Sequence, residues 1–279
     1  MATIIDGKAL AEKICADVAL KAAELPETPV LAAVLVGDDP ASQIYVRNKE
    51  RDCNKCGIKS LRFDLPAACT QDELIKLIER LNGDESVDGI LVQLPLPEQI
   101  DEETVINAIL PEKDIDAFHP VNVGKAVLGQ AALLPCTPAG IMELLHEYGI
   151  SPDGKVCVVV GRSNIVGRPM GLMLLREHGT VIYCHSHTPD LKAMTLLADI
   201  LVVAAGSPRL ITGDMVKDGV TVIDVAMNRD EKTGKFFGDV VFPEVEKKAA
   251  FITPVPGGVG PMTRAMLMRN IVTAAANKK

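Results

Sequence analysis

The chain has 279 residues, 37 acidic against 29 basic side chains and a formal net charge of −8, and it contains no Trp. Such an acidic balance lacks the basic footprint of a nucleic-acid-binding protein. No apolar run approaches the about 20 residues that span a bilayer, and MATIIDGKAL lacks the basic-then-apolar order of an export signal. Seven scattered cysteines, an odd number, read as free thiols of a reducing cytoplasm. The length allows two domains of ordinary size, with cores built from Ala, Val, Ile, Leu and Met.

Residues 7–23 predict a helix with Leu10, Ile14, Val18 and Ala22 on one face. The apolar run 30–36 predicts a buried strand ended by Gly37, and Asp39-Pro40 caps a helix that passes Tyr45 and Lys49 towards Cys56. A second strand is expected over 58–63. Thr70-Gln71-Asp72-Glu73 has the form of a capping box and opens a helix with Leu74, Leu77, Ile78 and Leu81 as its apolar positions. A third strand over 89–94 stops at Pro95 and Pro97. Alternating strands and helices predict an α/β domain. Residues 110–135 show little periodicity and read as an irregular crossing between domains. Thr137-Pro138 then caps a helix that runs to Tyr148 and ends at Gly149.

A second series starts at the β-branched run 156–160, which ends abruptly at Gly161. The polar loop Arg162-Ser163-Asn164 follows, and Gly167-Arg168-Pro169 opens a helix with proline at its first position. A strand, a glycine turn and a helix together aim free backbone N–H groups at an anion. The spacing is G-x5-G-x-P, not the G-x-G-x-x-G fingerprint, so a plain βα turn stays open beside a nucleotide site. The next strand, 180–184, ends in His185-Ser186-His187-Thr188 with no carboxylate for a ribose. A hydroxyl at Ser186 and a guanidinium at Arg162 favour NADP over NAD there, the alternative being a solvated surface turn. Further strands are expected near Val181, Leu201 and Val222, and a glycine-rich loop over 256–261 leads into a last helix over 263–275.

Tyr45 and Lys49, four apart, share one helix face. A partly desolvated lysine can act as a base or proton relay, though Arg47, Glu50, Arg51 and Asp52 around the pair equally describe a solvated face. Gln93, at a strand end, is either a structural hydrogen bonder or a site residue. Asp114 and Asp116 lie in the irregular crossing, where a carboxylate caps a turn or grips a ligand's N–H groups. Cys53-Asn54-Lys55-Cys56 sits late in a helix without a second pair and reads as structural. No histidine has metal-ligand spacing, so no metal is assigned.

Six segments in order, YVRNK at 45–49, DGILVQLPLP at 88–97, PEKDIDAFHPVNVGK at 111–125, PCTPAG at 135–140, VVVGRSNIVGRPM at 158–170 and PGGVGPMT at 256–263, closely resemble the bifunctional methylenetetrahydrofolate dehydrogenase/methenyltetrahydrofolate cyclohydrolase family. The resemblance covers nearly the whole chain. It implies that NADP takes a hydride from 5,10-methylenetetrahydrofolate and that water then opens the methenyl cation to 10-formyltetrahydrofolate. Those steps belong to tetrahydrofolate interconversion, one-carbon metabolism and purine biosynthesis.

By resemblance, Lys49 is central to hydrolysis, Gln93 supports it, Tyr45 lines the folate site and Asp116 anchors the pterin. Pro256, Gly257 and Gly258 match the segment closing over folate. Gly161, Arg162, Ser163, Ile165 and Ser186 fall where the cofactor binds, Arg162 and Ser186 at its 2′-phosphate. A neutral lysine suits this chemistry, because an ammonium would repel the cationic intermediate. The implied architecture is two α/β domains with an active-site cleft between them: a folate-binding catalytic domain of 1–117 plus 257–279, and a Rossmann-like NADP domain of 118–256. A homodimer joined through the NADP domain, located in the cytoplasm and without membrane or nucleic-acid partners, is expected. Ala117 stands where the family commonly has glycine, and Ala226-Met227 where it has Gly-Ile. The competing readings are a monofunctional NADP-dependent dehydrogenase, a non-catalytic NADP-binding regulator, and a related oxidoreductase acting on a small acid.

Overall fold

A computed structural model describes residues 1–230 and 233–278. In chain order its elements are β1 (Thr3–Ile4), α1 (Gly7–Ala23), β2 (Val30–Val36), α2 (Pro40–Lys55), β3 (Lys59–Leu65), α3 (Gln71–Gly83), β4 (Gly89–Val92), α4 (Glu102–Ala108), α5 (Pro120–Val127), α6 (Cys136–Glu147) and β5 (Val156–Val160). There follow α7 (Gly167–Arg176), β6 (Thr180–Cys184), α8 (Leu191–Thr195), β7 (Ile200–Val203), β8 (Thr221–Asp224), β9 (Asn228–Arg229), β10 (Phe236–Phe237), α9 (Phe242–Val245), β11 (Phe251–Ile252) and α10 (Val259–Ala276). The chain divides into two compact α/β units, Glu12–Cys136 with Arg264–Lys279 and Met1–Ala11 with Thr137–Thr263.

The first unit holds a parallel sheet of order β3-β2-β4. Its central strand is apolar at every position because every residue of it is buried. Leu74, Ile78 and Leu81 of α3 pack with Ala32, Val34 and Ile90. Each fully buried aliphatic side chain there contributes about 1.5–3 kcal/mol. Helix starts are fixed by side chains: Asp39 accepts from the Ser42 N–H at 2.7 Å, and Thr70 and Glu73 close the expected capping box. Asn270 of α10, almost fully buried, donates to the carbonyls of Ile115 and Leu134, both at 2.8 Å.

The second unit carries a six-stranded parallel sheet of order β6-β5-β7-β8-β11-β1. Strand order reverses at β5, which pairs with β6 on one side and β7 on the other. At such a switch point the loops after neighbouring strands part and leave room for a ligand at their carboxyl ends.

Several elements depart from the sequence expectation. The 110–135 stretch is not wholly irregular, because His119 Nδ1 accepts from the Val121 N–H at 3.1 Å and Pro120 opens α5. Pro169 is the third residue of α7, not the first, which costs nothing because no N–H of a first turn has a partner within the helix. Helix α6 starts at Cys136, α10 at Val259, and β4 ends at Val92, so Gln93 lies just past its strand. Residues 1–11 join the six-stranded sheet because β1 pairs with β11 in the register Thr3↔Phe251. Residues 118–136 stay with the three-stranded sheet, tied there by Asn122 and by the Asn270 bond to Leu134.

At the carboxyl end of β8 the buried Asp224 accepts from the N–H groups of Ala226, Asp239 and Val240 at 3.2, 3.1 and 2.9 Å. Asp239, fully buried, accepts in turn from the Ala205 N–H and the Asn228 amide at 3.1 and 3.0 Å. Burial outweighs the three donors and pushes the Asp224 carboxyl up to about 6, with the Asp239 charge adding to the rise. A carboxyl whose pKa is higher folded than unfolded binds more protons in the folded state. Its contribution to stability is therefore full below about pH 4 and is lost as pH rises through about 6, of order 3 kcal/mol. Denaturant titrations of Asp224→Asn should lack this falling component between those pH values, whatever their overall offset. An unchanged slope in the variant would refute the assignment.

Candidate active site

Helix α2 leaves the carboxyl end of β2 and carries Tyr45 and Lys49 on one face. Gln93 follows β4, and its N–H donates to the Val34 carbonyl of β2 at 2.9 Å, so the sheet register itself sets its position. Lys49 Nζ donates to Gln93 Oε1 at 3.0 Å, while Gln93 Nε2 donates to the Leu94 carbonyl at 2.6 Å. The amide oxygen thus faces the lysine and the amide nitrogen faces the backbone carbonyl. Asp116 retains some exposure as a residue, but its carboxyl is desolvated and pushed up to about 6, with Lys49 opposing the shift and Asp114 reinforcing it. Tyr45 is 39% exposed, and partial burial holds its hydroxyl above the ordinary value against the pull of Arg264.

The other loop carboxylate has a different task. Asp114 is buried and accepts from the His119 N–H and the Asn122 side-chain amide at 2.8 and 2.9 Å, which closes the turn that presents Asp116. Ala117 completes that turn in the left-handed region, at φ +58°, a conformation that favours glycine. Two residues of α10 escape the sequence reading. Arg264 pairs with the nearly buried Asp52 at 3.2 Å, and Asn270 holds Ile115, next to Asp116. The burial of Asp52 that calls for a distant cation shows only in the structure.

In the second unit, Gly161 ends β5 at φ +131° and donates its N–H to the Cys184 carbonyl at 2.8 Å. A Cβ at Gly161 would strike the Ala204 carbonyl after β7, and one at Gly167 would strike the Gly161 carbonyl. Only glycines let the loops after β5 and β7 and the first turn of α7 approach so closely. Ser163 Oγ accepts from the N–H groups of Val166 and Gly167 at 3.2 and 3.3 Å, so it shapes the loop. Arg162, Ile165 and Ser186 are exposed around it, and Ser186 sits in a turn closed by the Thr188 N–H to the His185 carbonyl at 2.8 Å. Gly257, at φ +110°, accepts from the Lys8 N–H at 3.0 Å, and Gly258 after it has no room for a side chain against Thr253 and the Pro254 carbonyl. The structure thus joins Tyr45, Lys49, Gln93 and Asp116 in one compact unit, and places the 161–165 loop, Ser186 and Pro256–Gly257–Gly258 in the other.

A family model for the catalytic domain of tetrahydrofolate dehydrogenase/cyclohydrolase matches residues 5–116, and one for its NAD(P)-binding domain matches residues 135–279. The chain is 55% identical to the Bifunctional protein FolD of Agathobacter rectalis over 98% of this chain and 99% of that protein. It is 56% identical to the Moorella thermoacetica protein of the same name over 98% and 99%. The crystal structure of the bifunctional enzyme FolD from Campylobacter jejuni superposes with a TM-score of 0.98 at 52% identity, covering 100% of both chains. The Trypanosoma brucei methylenetetrahydrofolate dehydrogenase-cyclohydrolase, complexed with NADP cofactor and inhibitor, gives 0.94 at 40% identity over 99% and 97%. This chain belongs to the tetrahydrofolate dehydrogenase/cyclohydrolase family.

Proposed function

We propose that this protein oxidises 5,10-methylenetetrahydrofolate with NADP and hydrolyses the resulting methenyl cation to 10-formyltetrahydrofolate. The observation that carries the reading is the Lys49–Gln93 hydrogen bond beside the desolvated Asp116, in a chain so similar to bifunctional relatives over its full length. A dehydrogenase without hydrolysis would have no use for an amide held onto that lysine, and a non-catalytic regulator none for the desolvated carboxyl.

The residues divide the work. Tyr45 offers a flat, partly exposed ring to the planar pterin. Asp116 accepts from the pterin's N–H groups, and its carboxylate charge helps tolerate a positive centre on the substrate. Lys49, with one N–H committed to Gln93, uses its nitrogen lone pair to accept a proton from the water that attacks the methenyl carbon, and returns one as the ring opens. Pro256, Gly257 and Gly258 form the segment that meets folate. NADP, when bound, supplies the hydride acceptor. Gly161, Ser163 and Ile165 would shape its pyrophosphate cradle, and Arg162 with Ser186 would meet the 2′-phosphate. In functional terms we assign the folate domain to the unit of 12–136 with 264–279 and the cofactor domain to the unit of 1–11 with 137–263. The reaction is placed in the cytoplasm, consistent with seven cysteines that are all free thiols. Among the described residues no helix is long and apolar enough to cross a membrane.

A homodimer through the cofactor domain is part of this proposal. Its support is β6, an edge strand of the large sheet, with Tyr183 39% exposed on it and Leu175 57% exposed on α7.

Three outcomes are expected. Lys49→Met should lower methenyl hydrolysis by about 100-fold or more while NADP affinity stays within about twofold, read from methenyl absorbance and cofactor titration; undiminished hydrolysis would remove Lys49 from the chemistry. Arg162→Ala should raise the KM for NADP by about 10-fold or more and leave that for NAD unchanged, as loss of one charge-assisted contact requires. Equal effects on both cofactors would refute the 2′-phosphate assignment. Sedimentation equilibrium should return a dimer for the native chain and a monomer for Tyr183→Glu, and a monomeric native chain would sink the dimer.

A further inference from the structure

The Cys53-x-x-Cys56 motif acquires a partner from elsewhere in the chain. Cys15 of α1 is half-buried, whereas Cys53 and Cys56, at the end of α2, are fully buried. The Cys56 thiol reaches across to α1, where its Sγ lies 3.6 Å from the Cys15 carbonyl oxygen. The same Cys56 thiol draws the Cys15 thiol below its ordinary value, aided by Arg264 and Lys55 against burial and Asp52, while Cys56 itself is pushed up. Cys53 is the opposite case, pushed up to about 12 chiefly by burial. Among the described residues no group of three His, Cys, Asp or Glu side chains could hold a metal ion. That directs the pair to sulfur chemistry: the more acidic and more accessible thiol is the nucleophile, and its buried neighbour is positioned to resolve the product.

We propose that Cys15 and Cys56 form a peroxide-sensitive thiol pair that closes to a disulfide between α1 and the helix carrying Lys49. The Cys15 thiolate attacks one oxygen of hydrogen peroxide, an S–O bond forms as the O–O bond breaks, and hydroxide leaves. Cys56 sulfur then attacks the Cys15 sulfenic sulfur. The S–S bond forms, the S–O bond breaks, and the departing hydroxyl takes the Cys56 proton as water. Two thiols are oxidised by two electrons while one peroxide is reduced to two waters. The closed bond ties the end of α2 to α1.

The test uses the full-length protein, limited hydrogen peroxide, alkylation of the remaining thiols, and peptide mapping without reductant. The expected product is a Cys15–Cys56 cross-linked peptide lacking two hydrogens, formed as both free thiols disappear and reversed by dithiothreitol. Cys53→Ser should keep it. In Cys56→Ser the reaction should stop at a Cys15 sulfenic acid that dimedone captures, which identifies the nucleophile without requiring a disulfide. In the untreated protein Cys15 should alkylate about 10-fold faster than Cys53 or more. A Cys53–Cys56 cross-link, first oxidation at another thiol, or a Cys15 that stays reduced under these conditions would overturn the proposal.

Discussion

The proposed chemistry depends on one 3.0 Å contact, from Lys49 Nζ to Gln93 Oε1, and much of the first unit serves to make it possible. In this contact Lys49 donates, so an acceptor must hold it, and the amide oxygen of Gln93 is that acceptor. The holder is a neutral amide, which accepts through its oxygen and brings no charge of its own to the contact. The amide must then be held itself, and the Leu94 carbonyl occupies its nitrogen. Its backbone is placed by the N–H bond to Val34, one step beyond the Val34↔Val92 pairing of β2 and β4. The other partner is set by Asp39, which fixes where α2 begins and so which turn carries Lys49. Sheet register and a helix cap, both local matters, together place two side chains 44 residues apart at hydrogen-bonding distance.

The cofactor unit solves a different problem by removing atoms. At the switch point of its sheet the loops after β5 and β7 and the first turn of α7 crowd one another, and glycine at 161 and 167 is what permits the approach. The G-x-G-x-x-G spacing is absent, yet the roles its glycines serve, a tight turn and close helix–strand packing, are both filled. Beside them, Asp224 and Asp239 join the segments after β7, β8 and β10 through backbone N–H groups and Asn228. The loops at that edge are thus held from within the sheet.

What was legible in the sequence was what depends on neighbours along the chain. The runs 30–36 and 156–160 announced buried parallel strands because no polar residue interrupts them, and Thr70 with Glu73 announced a helix start because both halves of the capping box are local. Helix α5 was missed although His119-Pro120 opens it, because a histidine acting as a cap reads as a loop residue. Strands β1 and β11 have two residues each, too short for any periodicity, and exist only because they pair with each other and with β8. Arg264 and Asn270 were invisible for the same reason at longer range. The need for them arises at Asp52 and at the Ile115 carbonyl, and nothing near either position reveals what will meet it. The Tyr45–Lys49 pair lay between these extremes, since spacing put both on one face but only the contact with Gln93 separates that face from a solvated one.

Three buried carboxyls show why a displaced pKa alone does not mark a functional group. Burial raises Asp114, Asp116 and Asp224 alike. In Asp114 the opposing stabilisation comes from the His119 N–H and the Asn122 amide, and in Asp224 from three backbone N–H groups. Both are therefore committed to the fold, and their lone pairs are largely spent. Opposing burial in Asp116 is the charge of Lys49, an interaction through space that leaves hydrogen-bonding capacity for a ligand. The fold spends effort on presenting it: Asp114 closes the preceding turn, Asn270 anchors Ile115, and Ala117 accepts a left-handed conformation to complete the bend. A carboxyl desolvated, carefully placed and not consumed by the backbone is the one of the three suited to recognise the N–H groups of a heterocycle, and that distinction rests on what satisfies each group, not on how far its pKa has moved.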